Sequence, residues 1–145
     1  MNIRIKKLHD TAVVPQYQTE QSAGMDVAAC IDEPMVIEPH GRAIVPTGFA
    51  ISLPAGYEAQ IRGRSGMAAK FGIMPANGLG TIDADYRGEV GVILLNTTNE
   101  SFTVEPGMRV AQMVIAKYEV AEWSEVTDLD ETARGAGGFG STGHN

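Results

Sequence analysis

Short apolar runs separated by turn signals make up most of the chain. The turn signals are EPHG (38–41), LPAG (53–56), TTNE (97–100) and EPG (105–107). The runs between them are rich in Val, Ile and aromatic residues: RAIVPT (42–47), FAISL (49–53), YEAQIR (57–62), VGVILLN (90–96), SFTV (101–104) and RVAQMVIAKY (109–118). Many short strands joined by regular turns are typical of a sandwich or barrel. The pattern therefore predicts an all-β fold.

Three segments refine this prediction. FAISL alternates cleanly, so Phe49, Ile51 and Leu53 are expected on one face of a strand. VGVILLN is apolar on both faces, which indicates a strand covered on both sides, either in a deep core or at a subunit interface. SGMAAKF, residues 65–71, is the one segment with a plausible helical pattern and would form about two turns.

Length and composition limit the functional classes. The 145 residues suit a single domain. The formal charge of −7 without a basic block argues against a nucleic-acid partner. No apolar run approaches the roughly 20 residues that span a bilayer, and the start, MNIRIKKLHD, lacks a signal-peptide pattern. We expect a soluble intracellular, cytoplasmic protein with no membrane partner.

The positions of the cysteine and histidine residues indicate neither a disulfide nor a zinc site. The single cysteine, Cys30, excludes an intrachain disulfide, and no Cys/His spacing suits zinc. His9, His40 and His144 are scattered and are predicted to lie on the surface.

The C-terminal run RGAGGFGSTGHN, residues 134–145, cannot form a core. It offers backbone N–H groups, one guanidinium, two hydroxyls and one ring, which are suited to wrapping a polyphosphate and covering a flat base. Ser141 stands where a Walker loop needs lysine, so a P-loop NTPase is excluded. The run predicts a lid that orders on a nucleotide; the alternative is a disordered tail.

The segment GTIDADYRGEV, residues 80–90, is predicted to be a β-hairpin with polar residues at its tip. Carboxylates such as Asp83 and Asp85, next to Tyr86, could act as a general base or position a metal-bound water. The alternative is an acidic turn that is simply well solvated.

Two further segments suggest anion and metal chemistry. In IRGRSGMAAKFGI (61–73), Ser65 is predicted to cap the helix, which would place its hydroxyl and Arg64 at an anion site. In SAGMDVAA (22–29), Asp26 is a lone acid in small, apolar surroundings. It could hold a Mg²⁺-bound water or be a structural turn residue.

In the strand containing GMRVAQM, residues 107–113, the spacing of Arg109 and Gln112 determines whether their side chains share a face of the sheet. Arg109 and Gln112 are an odd number of residues apart, so in a flat strand they point to opposite faces, short of a bulge. We therefore predict Gln112 as a ligand residue and Arg109 as structural.

Five segments, in order, resemble the motifs of the trimeric dUTP pyrophosphatase (dUTPase) family. They are AGMDVAA (23–29), GRSGMA (63–68), NGLGTIDADYRG (77–88), GMRVAQM (107–113) and RGAGGFGSTG (134–143). The resemblance spans nearly the whole chain. One departure is that many family members carry a second serine where this chain has Gly66.

The resemblance implies a jelly-roll-like β-fold (β-clip) with one short helix, assembled as a homotrimer with active sites at subunit junctions. Residues 1–133 would form the β domain, and residues 134–145 a mobile lid carrying the fifth motif. The implied reaction is Mg²⁺-assisted hydrolysis of dUTP to dUMP and pyrophosphate, by in-line attack of water at the α-phosphorus. It keeps uracil out of DNA and supplies dUMP for thymidylate synthesis.

The resemblance also implies residue roles. Asp83 would be the catalytic base, and Asp26 would fix a water on Mg²⁺. Tyr86 would lie beneath the deoxyribose, and Asn77, Gly80 and Ile82 would contact uracil. The phosphates would be held by Arg64, Ser65, Gly66 and Gln112. The lid would supply Phe139 to stack on uracil and Arg134, Gly140, Ser141 and Thr142 to close over the γ-phosphate.

Other functions remain open at this point. A dCTP deaminase of the same superfamily shares the scaffold but generally lacks the arrangement of Asp83 and Tyr86. A regulatory, protein-binding role on the same scaffold is a second alternative. A β-sandwich unrelated to nucleotides would leave the glycine-rich run unexplained.

Overall fold

The computed structural model describes residues 1–139, which form twelve strands and one seven-residue helix. The strands are β1 (Arg4–Lys7), β2 (Gln16–Tyr17), β3 (Met25–Ala28), β4 (Met35–Ile37), β5 (Arg42–Pro46), β6 (Phe49–Ser52), β7 (Tyr57–Arg62), β8 (Ile73–Pro75), β9 (Gly80–Ile82), β10 (Gly91–Asn96), β11 (Phe102–Val104) and β12 (Arg109–Lys117). The helix is α1 (Ser65–Phe71). The all-β prediction is confirmed.

Four antiparallel sheets share one core. The largest has five strands in the order β2-β3-β12-β7-β9, and a second has three in the order β5-β10-β8. Strands β1 and β6 form a pair, as do β4 and β11. Every sheet contributes to the same buried cluster, for example Ile61, Leu94, Phe49 and Ile37. This single core holds the loops at the strand ends in fixed relative positions.

The helix has the predicted bounds, but its start differs from the prediction. Arg64, with extended backbone angles, is the N-cap and makes no side-chain capping bond. Ser65 is already the first helical residue, so its hydroxyl is not spent on capping. Gly72 ends the helix in the left-handed conformation, which glycine adopts readily.

The predicted hairpin over residues 80–90 is wrong. Strand β9 pairs with β7, whereas the following strand, β10, belongs to the three-stranded sheet and pairs with β5 and β8. Asp83 instead begins a tight turn, closed by the Tyr86 N–H donating to the Asp83 carbonyl over 3.2 Å. The segment therefore crosses between sheets.

Strand β10 buries one face and leaves the other half-covered. Val92 and Leu94 are in the core, while Ile93 and Leu95 alternate with them toward the outside. On that outer face Ile93 pairs with Ile44, which is 65% exposed, and Leu95 pairs with Met74, which is 44% exposed. We name these four residues the outer apolar face.

After β12 the chain leaves the sheets. Residues 118–139 form no helix or strand, and Val120, Trp123 and Leu129 are each at least 80% exposed. Along residues 1–139, no helix has the length and apolar character that crossing a bilayer requires. His9 and His40 are exposed as predicted, whereas His144 lies outside the described residues.

Candidate functional site

A pocket of about 360 Å³ lies where α1 meets the five-stranded sheet. Five predicted site residues line it, from three different segments: Asp26, Arg64, Ser65, Gly66 and Gln112. The sheet order explains this convergence, because β3, β12 and β7 are neighbours and α1 follows β7 directly. The fold thus unites segments that are more than 80 residues apart in sequence.

Asp26 is the electrostatic centre of this pocket. Its Oδ2 lies 2.9 Å from Nη1 of Arg109, and its Oδ1 lies 3.3 Å from Nε of Arg64. The Asp26 side chain is only 16% exposed, so these ion pairs are screened less than surface pairs. The prediction of a lone acid in apolar surroundings is wrong, since Asp26 lies on a strand between two arginines.

A β-bulge accounts for the position of Arg109. Strand β12 pairs Arg109 with Ala28 but Ala111 with Val27, so Val110 has no partner on β3. Because of this extra residue, Arg109 points to the same face of the sheet as Gln112, which is the partner of Asp26. The predicted opposition of Arg109 and Gln112 is therefore wrong, and Arg109 belongs to the candidate site.

The two arginines are also tied to each other. Arg64 donates from Nη1 to the carbonyl oxygen of Arg109 over 2.9 Å. Together with the two ion pairs to Asp26, this bond closes a ring of three residues, which we name the Asp26 clasp. The clasp fixes the Arg64 guanidinium, whose fork geometry suits phosphate oxygens.

Gln112 is held in place by two loops. Its Nε2 donates to the carbonyl oxygen of Gly63 over 2.8 Å. Its Oε1 occupies the space beside Gly24, where an added Cβ would overlap with that oxygen. A side chain at position 24 would therefore displace the amide, so this close approach requires glycine.

The remaining core-domain candidates form a second group on β9 and its flanking turns. Gly80 packs closely on Ile61, and Asn77 lies in the turn just before it. Asp83 is exposed. Tyr86 donates its hydroxyl hydrogen to the Glu89 carbonyl oxygen over 3.0 Å, which fixes its ring. This group offers backbone amides, a free carboxylate and an oriented aromatic face.

The two groups are far apart within one chain. Ile82 pairs with Ala59, which precedes Arg64 by five residues, and Asp83 continues away from Arg64. At about 3.3 Å per residue, the position of Ile82 lies roughly 10 Å along β7 from its end at Arg62, and Asp83 lies beyond Ile82 on the side away from Arg64. One chain therefore does not place the carboxylate beside the pocket.

The two described tail candidates, Arg134 and Phe139, do not line the pocket either. Arg134 donates from Nε to the Gly137 carbonyl oxygen over 2.8 Å, within its own turn. Phe139 is fully exposed and has a positive φ of 52°. The other tail candidates, Gly140, Ser141 and Thr142, lie outside the described residues.

The donors present suit a water-held metal ion better than a directly ligated one. Within residues 1–139, no three His, Cys, Asp or Glu side chains cluster as a metal site. Oδ2 of Asp26 accepts a hydrogen bond from Arg109 and Oδ1 forms an ion pair with Arg64, yet carboxylate oxygens have lone pairs for a further water. Mg²⁺ commonly keeps its waters and uses few carboxylates.

Sequence reasoning missed three pocket residues on α1: Met67, Lys70 and Phe71. Lys70 follows Gly66 by four residues, about one helical turn, so the face of α1 that carries Gly66 also carries Lys70. Applying that spacing to the predicted helix would have found Lys70.

Comparison with known proteins adds to this geometry. Residues 10–143 match the family model described as dUTPase. The chain is 56% identical over 146 residues to a deoxyuridine 5'-triphosphate nucleotidohydrolase of Orientia tsutsugamushi strain Ikeda, covering 99% of each. It is 56% identical over 142 residues to the protein of that name in Rickettsia felis, covering 97% of the chain and 96% of the relative. A dUTPase variant of Staphylococcus bacteriophage 80alpha, solved with dUpNHpp, superposes with a TM-score of 0.89 at 27% identity and 99% coverage of both chains.

Proposed function

Because this chain belongs to the dUTPase family and hydrolyses dUTP, we propose that it does so through a site divided between the pocket of one chain and the acidic turn of another. The products are dUMP and pyrophosphate. In the cell, this reaction would keep uracil out of DNA and supply dUMP for thymidylate synthesis.

The observation that carries the proposal is the convergence of Arg64, Ser65, Gly66 and Gln112 on one pocket around the Asp26 clasp. A guanidinium, a free hydroxyl and backbone amides are suited to phosphate oxygens. Since Ser65 does not cap α1, its hydroxyl is available to a phosphate. Gln112 lines the pocket, and its amide has a second hydrogen besides the one bonded to Gly63.

The reaction is an in-line displacement at the α-phosphorus. Water donates a proton to the Asp83 carboxylate as its oxygen forms a bond to the α-phosphorus. The bond from that phosphorus to the α–β bridging oxygen breaks, and pyrophosphate leaves with the bridging oxygen. The exposure of Asp83 supports this role, since the carboxylate is free to approach a neighbouring chain's pocket.

Base and sugar would bind on the β9 segment. The backbone of Gly80 and Ile82, with Asn77, would hydrogen-bond the uracil edge, and cytosine would present a donor where an acceptor is needed. The bond from the Tyr86 hydroxyl to Glu89 supports a fixed ring beneath the deoxyribose. A ribose 2′-hydroxyl would collide with such a ring.

The ligand atoms of the pocket are suited to a magnesium ion that is bound through a water molecule. Asp26 would hold Mg²⁺ indirectly, by accepting a hydrogen bond from a water molecule on the ion. When bound, the ion would neutralise charge on the phosphates. The clasp orients the Asp26 carboxylate for that contact.

Two features support a homotrimer with shared sites. The separation of Asp83 from Arg64 leaves a single chain without a complete site. The outer apolar face presents Ile44, Ile93, Leu95 and Met74 together on the three-stranded sheet, where a second copy could cover them. In a closed ring of three copies, every outer apolar face would be covered by neighbouring copies.

The C-terminal run would act as the lid. Residues 118–139 leave the sheets without forming a strand, and a stretch of that length can reach tens of ångströms. Phe139 would stack on uracil, and Arg134, Gly140, Ser141 and Thr142 would close over the γ-phosphate. Closure would exclude water other than the nucleophile.

A product assay tests the proposal. The protein with Mg²⁺ is incubated separately with dUTP, UTP, dTTP and dCTP, and the products are separated by anion exchange. Conversion of dUTP alone to dUMP and pyrophosphate supports it. Release of dUTP or dUMP from dCTP would indicate a deaminase. Binding of dUTP without turnover would favour a regulatory role on the same scaffold.

A further inference from the structure

The pocket contains one cation that the proposed function has not used. Lys70 lines it together with Arg64, Ser65 and Gly66. It lies four residues after Gly66 on α1, so its stem leaves the same face of the helix. At 1.5 Å per residue, its Cα lies about 6 Å further along the helix axis than that of Gly66. Lys70 thus extends the basic wall away from Arg64.

The Asp26 clasp carries too little positive charge to balance a bound triphosphate, and Lys70 supplies a further positive charge. Asp26 pairs with both Arg64 and Arg109, so three charged groups sum to a single positive charge. A bound triphosphate carries several negative charges. Within residues 1–139 the ion pairs are those two alone, so the Lys70 ammonium has no carboxylate partner there. Of the two cations that line the pocket, Arg64 and Lys70, Lys70 is the one without an ion pair in the described part of the chain.

We propose that Lys70 binds the distal phosphates of the substrate, the pyrophosphate portion that leaves, rather than the α-phosphate or the nucleoside. This inference rests on the proposed function and assigns one more residue to it. The flexible lysine stem lets a point charge follow the phosphate chain. Lys70 is therefore a substrate-binding residue that discriminates triphosphate from monophosphate.

A structural role for Lys70 would have a different consequence. It lies in the last turn of α1, where a cation interacts favourably with the helix dipole. Its loss would then lower thermal stability slightly and leave the ratio of ligand affinities unchanged. The affinities for two ligands that differ only in their distal phosphates separate these roles.

Titration calorimetry of Lys70→Met with dUpNHpp and with dUMP makes the test. We expect the affinity for dUpNHpp to fall about tenfold, as for the loss of one charge-assisted contact, with the affinity for dUMP unchanged. Lys70→Arg should keep most of the triphosphate affinity. Lys117→Met is the matched control, because Lys117 lies at the far end of β12 over the Tyr57 ring.

The outcomes separate this inference from the proposed function. Unchanged dUpNHpp affinity in Lys70→Met, or an equal loss for dUMP, overturns the assignment while wild-type turnover of dUTP leaves the proposed function standing. Failure of the wild-type protein to bind either nucleotide or to hydrolyse dUTP overturns both.

Discussion

Arg109 holds Asp26 across the sheet, with 2.9 Å between its Nη1 and the carboxylate Oδ2, because a bulge at Val110 turns it to the face that carries Gln112. Without the extra residue, the guanidinium would lie on the opposite face. The bulge thus brings Arg109 into contact with Asp26, a residue that lines the candidate pocket. Bulges next to active sites often re-aim a side chain in this way.

The clasp yields the first prediction. Asp26→Asn removes the charge that holds two guanidiniums, so Arg64 should lose its fixed position and KM for dUTP should rise about tenfold. Arg109→Gln should act in the same direction. Because both changes break one ring of contacts, the double variant should be little worse than the worse single variant. Steady-state kinetics of the three variants measures this, and full additivity would contradict a coupled clasp.

The acidic turn yields the second prediction. Asp83→Asn should lower kcat by about 10²–10⁴-fold while leaving dUpNHpp binding largely intact, since the amide cannot accept the water's proton. Asp85→Asn is the control, because it makes a matched change two residues away in the same exposed turn. Equal losses in the two variants would mean that the turn needs negative charge in general and that Asp83 is not a specific base.

The tail yields the third prediction. Deletion of residues 134–145, or Phe139→Ala, should strongly reduce kcat/KM for dUTP. Neither change should move the melting temperature much, because Phe139 is fully exposed and Arg134 bonds only within its own turn in the described part of the tail. Differential scanning calorimetry beside the kinetic assay makes the comparison. A large fall in melting temperature would instead indicate a structural arm.

The outer apolar face yields the fourth prediction. Ile44→Glu places a charge where a second copy would pack, so sedimentation should show monomers and activity should be lost. The fold of the single chain should survive, since Ile44 is 65% exposed within it. Val36→Glu, a similar change on exposed strand β4, is the control. A trimer that persists in Ile44→Glu would exclude this face from the interface.

Local patterns predicted the elements well. The run YEAQIR, which follows a turn signal, gave β7 with its observed bounds, and the helical pattern of SGMAAKF gave α1. Both signals are local, because strand and helix periodicity depend on neighbouring side chains. VGVILLN was expected to be covered on both sides. β10 has a core face and an outer face that is half-covered within one chain, so coverage of the outer face stays a prediction.

The pairing of strands that are distant in sequence could not be predicted in the same way. The turn at Asp83 was predicted as a hairpin tip because its composition suits one, but the pairing of β9 with β7 depends on the whole sheet. The bulge at Val110 carries no glycine or other local signal, so the parity of Arg109 and Gln112 was misjudged. The Asp26 clasp depends on that bulge, so it could not be predicted from the sequence either.

Subunit complementation tests the central claim, a dUTP-hydrolysing site divided between chains, most directly. Asp83→Asn and Arg64→Ala are each expected to be inactive alone. When the two are refolded together in equal amounts, random mixing should restore about a quarter of the wild-type sites, since a junction needs one intact residue from each of two neighbours. Recovery of that activity is the predicted result. Mixed trimers that stay as inactive as their parents would place Asp83 and Arg64 in the same chain's site and contradict the account.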